Sequence, residues 1–171
     1  ELMRMDPGNA RIHGFLANIE KSARHTLTLA DDFVQLARAE IRTPDLRPID
    51  VAALLLDAAD HLWAYAKQRH VAIGQRFDVD EALVSGDRGM LLRAVMNLLH
   101  NALKFSAAGG SVTLTLQRAA GRVRVTVSDQ GPGISAANQG RLFQMFQRID
   151  PPGYAGESGV GLGLAYVRTV L

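Results

Sequence analysis

Apolar positions recur at helical spacing through residues 9–41. Ile12, Leu16, Ile19, Ala23, Thr26, Ala30, Phe33 and Ala37 follow one another at steps of 4, 3, 4, 3, 4, 3 and 4. This is a heptad seam along one side of a long helix. Phe15, Leu29 and Leu36 widen it on one flank, which suits a multi-helix bundle better than a two-stranded coil. One helix cannot cover such a stripe. The seam predicts partner helices from a second copy or from other sequence, the alternative being that the helix packs on its own globular domain. Pro44 and Pro48 then end the helical pattern and mark a short linker.

Beyond the linker the pattern changes. Asp50 is placed to cap a second helix, 51–69, that buries Val51, Leu54, Leu55, Ala58, Leu62 and Tyr65. Residues 71–77 alternate as a strand and 82–85 as a shorter one. Gly86-Asp87 turns into a third helix over 87–105, with Asp87 as its N-cap. Residues 112–117 and 123–128 alternate apolar with polar on either side of Ala119-Ala120-Gly121, a hairpin with one face toward a helix layer. Ser135 is expected to cap a short helix carrying Leu142, Phe143 and Phe146. Residues 147–158 form a loop rich in Pro and Gly, and Gly159-Val160-Gly161-Leu162-Gly163-Leu164 leads into a last helix over 163–171. The order predicts an α+β protein. It is a two-layer α/β sandwich, an antiparallel or mixed sheet with helices on one face, preceded by the long α-helix of a helical bundle.

The third helix has two stripes. Leu91, Val95, Leu98, Ala102 and Phe105 turn toward a core. At about 100° per residue, Asn97, Asn101 and Lys104 fall on a second line. Asn is a poor helix former, costing several tenths of a kcal/mol against Ala each time. Two amides and an ammonium on one line therefore suggest a ligand.

Composition narrows the choice of ligand. The 171 residues fit one domain and an appendage, with a net charge of +2 and no Cys. Thiolate metal sites, disulfides and Cys nucleophiles are excluded. No basic run supports nucleic-acid binding. No apolar run approaches the roughly 18 residues of a membrane span, and the N-terminus does not read as a signal peptide. The chain starts without Met and ends inside a predicted helix, as expected for a piece of a longer protein.

A nucleotide fits the polar positions. Asp129, at a strand end, can accept hydrogen bonds from an exocyclic amino group, and Gly131 and Gly133 let a ligand lie against bare backbone. The same D-x-G-x-G run is also ordinary turn chemistry. Gly159, Gly161 and Gly163 enter a helix, where successive N–H groups and the helix N-terminus favour phosphate. This run is neither a Rossmann fingerprint nor a Walker A loop. The Asn101 amide oxygen suits Mg²⁺, and Lys104 is a point charge for phosphate. Arg93, one turn before Asn97, can assist there or simply be solvated.

Together N-x-x-x-N-A-x-K-F, D-x-G-x-G-I, F-x-x-F and G-x-G-x-G-L, in this order, resemble the catalytic ATP-binding domain of bacterial sensor histidine kinases. That domain has the Bergerat fold shared with gyrase B, Hsp90 and MutL. The resemblance covers about residues 48–171 and makes 9–41 the second helix of a dimerisation and phosphotransfer hairpin. It implies that Asn101 binds Mg²⁺, that Asn97 and Lys104 contact phosphates, and that Asp129 reads adenine with Gly131 and Gly133 along the base. It implies that Phe143 and Phe146 anchor an ATP lid over 135–158, and that Gly159, Gly161 and Gly163 cradle phosphates. The motifs also bring Ile134, Val160, Leu162 and Leu164 into the ATP-binding set. Hydrolysing members carry Glu at the position of Asn97. An amide cannot take a proton from water, so Asn97 favours phosphoryl transfer to a protein side chain.

The expected organisation is therefore 1–42, bundle helix; 43–50, linker; 51–171, ATP-binding domain truncated at its C-terminus. Family members continue past the position of Leu171 with two further strands, one carrying a Thr that supports the adenine-reading Asp, and without them the sheet keeps an open edge. Val160 stands where the family often has Ser or Thr. No H-E/D-x-x-[TN] motif is present, so the phosphoaccepting His is expected outside the chain, and the five His read as structural or solvated. The chain should bind ATP and Mg²⁺ without phosphorylating itself. Its expected partners are a second copy, through the N-terminal helix, and the receiver domain of a response regulator, with neither nucleic acid nor membrane contact. The expected location is cytoplasmic, either free or as the cytoplasmic part of an inner-membrane sensor. The rival readings are a Bergerat-fold ATPase or anti-sigma-type serine kinase, and a degenerate dimerisation or scaffold module.

Overall fold

The structure, a computed structural model, describes residues 7–79, 81–149 and 160–171, with side chains from Ile12 onward. The long helix α1 spans Pro7–Ile41. Its seam positions Ile12, Leu16, Ile19 and Phe33 are all more than half exposed. A different stripe, His25, Leu29, Asp32, Leu36 and Ala39, is partly or fully buried. The flank of the pattern, with Leu29 and Leu36, thus packs on the chain's own domain, and the seam is left uncovered within one chain. At about 100° per residue the two stripes are centred about 120° apart, so both can be occupied at once.

Strand β1 (Arg47–Asp50) pairs antiparallel with β3 (Leu83–Gly86) in a two-stranded sheet. Part of the expected linker is therefore a strand. Ile49 is its one buried residue, so it shows no alternation, and Pro48 is tolerated because the pairing is at an edge. Asp50 then caps α2 (Val51–Arg69), its Oδ1 accepting the Ala52 N–H at 2.9 Å. Strand β2 (Ala72–Phe77) runs parallel to β4 (Ser111–Ala119), which pairs antiparallel with β5 (Arg122–Ser128), giving the order β2-β4-β5. Ala120 and Gly121 have φ of 51° and 75°. A two-residue hairpin turn with both central residues left-handed matches the twist of the flanking strands.

The core lies between this mixed sheet and the helices α2 and α3 (Arg88–Phe105). Val112, Leu114 and Leu116 from β4 meet Leu54, Leu55, Leu99 and Leu103, each such aliphatic side chain contributing about 1.5–3 kcal/mol on burial. The second face of α3 joins a smaller cluster, in which Ala94 and Leu98 pack with Leu36 of α1 and with Leu162, Ala165, Tyr166 and Val167. The last three belong to α5 (Gly163–Val170). The expected single apolar stripe on α3 is thus corrected to two, and Leu91 and Phe105 are only half-buried. A helix held between layers needs two apolar sides, and Leu99 and Leu103 supply the one the simple stripe omits.

The short helix α4 covers only Ala136–Gln139, and the Ser135 side chain makes no capping bond. Leu142, Phe143 and Phe146 lie beyond it in turns, not on a helix. Among the described residues no helix is long and apolar enough to cross a membrane.

Candidate functional site

Helix α3 is the spine of the site, fixed at both ends. At its start the Asp87 carboxylate accepts the Met90 N–H at 3.1 Å and, from the segment before β1, the Asp45 N–H at 3.2 Å. At its end Arg69 of α2 donates to the Lys104 carbonyl at 2.7 Å, and the Ser106 hydroxyl to the Ala102 carbonyl at 2.8 Å. These bonds satisfy groups that a helix terminus leaves open. Tyr65 of α2 stacks on His100, with ring centroids 4.7 Å apart. His100 is half-buried, with the Tyr65 ring against it.

The three polar positions differ. Asn97 and Asn101 are half-buried. The Asn97 amide donates to the Gly163 carbonyl at 3.2 Å, and a Cβ on Gly163 would stand 3.3 Å from that amide. Lys104 is only 6% exposed, with its Nζ 4.6 Å from the Phe105 ring centroid. It is not a solvated surface lysine.

Asp129 follows directly on β5. Its Oδ1 accepts the Gly131 N–H at 2.8 Å, closing a tight turn. A Cβ on Gly131 would stand 2.8 Å from the Phe105 carbonyl oxygen and 2.8 Å from Asp129 Oδ1. Backbone lies against backbone here, and only glycine fits. Gln130 Oε1 accepts the Ser111 N–H at 3.1 Å, tying the turn to β4. Gly133 has φ +71° with open space around it, and Ile134 is exposed.

Gly159 lies outside the described residues. Gly161 has φ +79°, and a Cβ there would stand 2.6 Å from the Gln147 carbonyl oxygen. The Phe146 N–H donates to the Gly161 carbonyl at 3.1 Å, joining the described segments on either side of residues 150–159, and the part of the expected loop and lid that falls on those residues lies outside the described ones. Val160 and Leu164 are half-buried. Leu162 is 1% exposed within the smaller cluster, so its backbone, not its side chain, is what can face a ligand. Phe143 and Phe146, expected as anchors, are 42% and 58% exposed.

The fold therefore brings Asn97 to the glycine run and the end of α3 to the Asp129 turn, about 12 Å apart along one helix. Two connections had no sequence signal, the Arg69 bond to Lys104 and the Gln130 bond to Ser111. Both join residues far apart in the chain. Arg93, weighed as a phosphate helper, instead pairs with Asp31 and Asp32 of α1 at 3.0 Å each. Its guanidinium also stands 5.7 Å from the Tyr166 ring centroid. The Arg93 hydrogen bond draws the Asp31 carboxyl below its usual value, whereas burial pushes Asp32 up against the pull of the same guanidinium. Burial also raises the Tyr166 hydroxyl. A groove of about 510 Å³ opens between α1, α2 and α3, with Arg38, Arg42, Leu62, Met90 and Met96 among its lining residues. It borders Asn97 and lies apart from the Asp129 turn.

This arrangement is one of known kind. Residues 86–171 match the family described as histidine kinase-, DNA gyrase B- and HSP90-like ATPase. The chain is 31% identical over 156 residues to the sensor-like histidine kinase SenX3 of Mycolicibacterium smegmatis, covering 88% of this chain and 40% of that protein. It is 33% identical over 157 residues to the sensor histidine kinase CusS of Escherichia coli O6:H1, covering 91% of this chain and 32% of that one. Among solved structures, full-length ShkA in complex with AMPPNP matches with a TM-score of 0.76 at 30% identity, over 92% of this chain and 33% of that chain. The mycobacterial sensor histidine kinase MprB matches with a TM-score of 0.63 at 31% identity, over 73% of this chain and 77% of that chain. The chain belongs to this ATPase family and carries the catalytic domain of a sensor histidine kinase. The relatives side with the kinase reading over the hydrolase, anti-sigma kinase and scaffold readings. The chain spans about two fifths of SenX3 and about a third of CusS.

Proposed function

We propose that the chain binds ATP with Mg²⁺ and, in the whole protein, donates the γ-phosphoryl group to a histidine outside these residues, for relay to a response regulator receiver domain. The observation that carries this reading is α3 itself, which meets the glycine run at Asn97 and the Asp129 turn at Phe105. We assign 1–42 to a dimerisation helix, the segment after it to a linker, and the remainder, with β1 included because it pairs with β3, to the ATP-binding domain. A homodimer through the exposed α1 seam and a cytoplasmic location for this part of the protein belong to the same reading.

The residues take these roles. Asp129 accepts from the adenine amino group, and Gly131 and Gly133 leave backbone open beside the base, next to Ile134. Lys104 and Asn97 supply donors for phosphate, and the N–H groups of 159–164 add the cradle at the start of α5. Phe143 and Phe146 close over the nucleotide from the exposed positions they hold here. The amide oxygen of Asn101, together with phosphates and waters, suits a hard divalent ion such as Mg²⁺. Such an ion would supply charge neutralisation at the transferred phosphoryl group. Asn97 offers no base to activate water, which protects the γ-phosphate from hydrolysis.

Calorimetric titration with a non-hydrolysable ATP analogue tests the assignment. Mg²⁺ should strengthen binding to the native chain. Asn101→Ala should lose that dependence, and Asp129→Asn should lose adenine-over-guanine selection by about 10–100-fold, the value of a hydrogen bond to a charged group. Wild-type behaviour in both variants would mean that the site is misplaced.

A further inference from the structure

The turn that carries Asp129 leaves the sheet at the end of β5. The last pair of the β4–β5 ladder is Thr113 with Ser128, and the same register continued would set Gln130 opposite Ser111. The strand stops before that pair. The Gln130 side chain takes its place, its Oε1 accepting the Ser111 N–H at 3.1 Å. A side-chain amide offers the kind of acceptor that a backbone carbonyl would have offered there. The backbone of 129–131 is thereby released to bend toward α3, while the first residue of β4 keeps a ladder-like bond. Ser111 is a firm anchor. It stands opposite Ala72 in the parallel pairing of β2 with β4. Just before it, the Gly110 carbonyl accepts the Ala72 N–H at 3.0 Å, and the Gly109 N–H donates to the His70 carbonyl at 2.7 Å.

We propose that Gln130 is a positioning residue for base recognition: its amide hooks the Asp129 turn to the start of β4 and so aims the Asp129 carboxylate at the base. The inference rests on the assignment of Asp129 to the adenine amino group made above. Asp129 Oδ1 is taken by the Gly131 N–H at 2.8 Å. The base is therefore met by Oδ2, whose direction is set by where the whole turn sits. On the helix side the turn lies against the end of α3. A Cβ on Gly131 would stand 2.8 Å from the Phe105 carbonyl oxygen, and Arg69 holds the preceding carbonyl, that of Lys104, at 2.7 Å. Such a contact stops the turn from moving inward but does not stop it from swinging away. Gln130 supplies that second restraint from the sheet side. Hydrogen bonds weaken steeply as they are misaligned. A small swing of the turn therefore costs selection between bases and leaves the phosphate end of the site, about 12 Å away along α3, as it was.

Two substitutions of similar length separate the hook from mere bulk. Gln130→Met removes the amide acceptor, and Gln130→Glu keeps an acceptor oxygen at the same reach. Calorimetric titration of the chain with non-hydrolysable ATP and GTP analogues, both with Mg²⁺, reads the ratio of the two affinities. Gln130→Met should lower adenine-over-guanine selection by about 3–10-fold, the value of one neutral hydrogen bond. The loss should fall on the ATP analogue alone, with the strengthening by Mg²⁺ unchanged. Gln130→Glu should keep most of the selection. Hydrogen exchange without nucleotide reads the hook by itself. The Ser111 amide should exchange faster in Gln130→Met and close to the wild-type rate in Gln130→Glu. Equal exchange in Gln130→Met and wild type overturns the inference, because the bond then restrains nothing. So does faster exchange with selection intact, or an equal loss for both analogues, which is what a purely structural role gives. A wild type that shows no preference for adenine is a different failure, which overturns the assignment of Asp129 and this inference with it.

Discussion

Asp87 joins three segments at one carboxylate. It caps α3, accepts from Asp45 before β1 and faces Arg42 after α1. The Met90 N–H acts on it most strongly, burial opposes, and the Asp45 N–H and Arg42 add to the first. The net effect holds the carboxyl below its ordinary 3.8. A group depressed in the folded state stabilises the fold above its unfolded value, and this is lost as pH falls through the folded value. Asp87→Ala should lower the unfolding free energy by about 1–2 kcal/mol at neutral pH, as lost N-caps do. The difference from wild type should shrink in acid below the ordinary value, as read from urea melts across pH. The cap itself was legible, because Gly-Asp before an apolar helix is a start signal. Its other two partners were not, since nothing local links residue 87 to 42 or 45. Lys104 teaches the same lesson. Its spacing was visible, but its burial depends on what packs around the end of α3.

At the scale of elements, α1 carries two stripes, one packed on its own domain and one exposed. The seam pattern was plain in the heptads, and the flank was visible as Leu29 and Leu36, but only packing separated them. Ile19 is 64% exposed, and under the dimer reading a second copy covers it. Ile19→Lys should shift the chain from dimer toward monomer in sedimentation equilibrium while α5 keeps its hydrogen-exchange protection. A wild-type chain that sediments as a monomer would remove the dimer from the proposal. Helices α2 and α3 and the β4–β5 hairpin lie within two residues of their sequence boundaries, Ala119 closing β4 instead of opening the turn, because long periodic segments carry strong signals. Strand β1 and the turns after α4 do not. One buried residue in β1 and an uncapped, four-residue α4 leave no period to read.

For the whole molecule, a ligand that binds only the folded state stabilises it by mass action. An ATP analogue with Mg²⁺ at about 100 times its Kd should raise the unfolding free energy by about 2.7 kcal/mol. Asn101→Ala at the same concentration should gain measurably less in the same thermal melts. Stabilisation that ignores Mg²⁺ would speak against Asn101 as its ligand. The effect should spread through both apolar clusters, because α3 belongs to each.

The sequence by itself determined the helix and hairpin periods and the α+β class, and it supplied the polar and glycine positions proposed for the nucleotide, because those depend on local spacing and side-chain chemistry. It also set the glycines, though not the reason for each. Tertiary structure alone decided that Gly131 lies against Phe105 and Gly161 against Gln147, that Arg69 closes α3, and that Arg93 pairs with α1 instead of pointing at phosphate. Each is a meeting of segments separated in the chain, and a meeting of that kind is fixed by how layers pack, not by any period along one strand or helix.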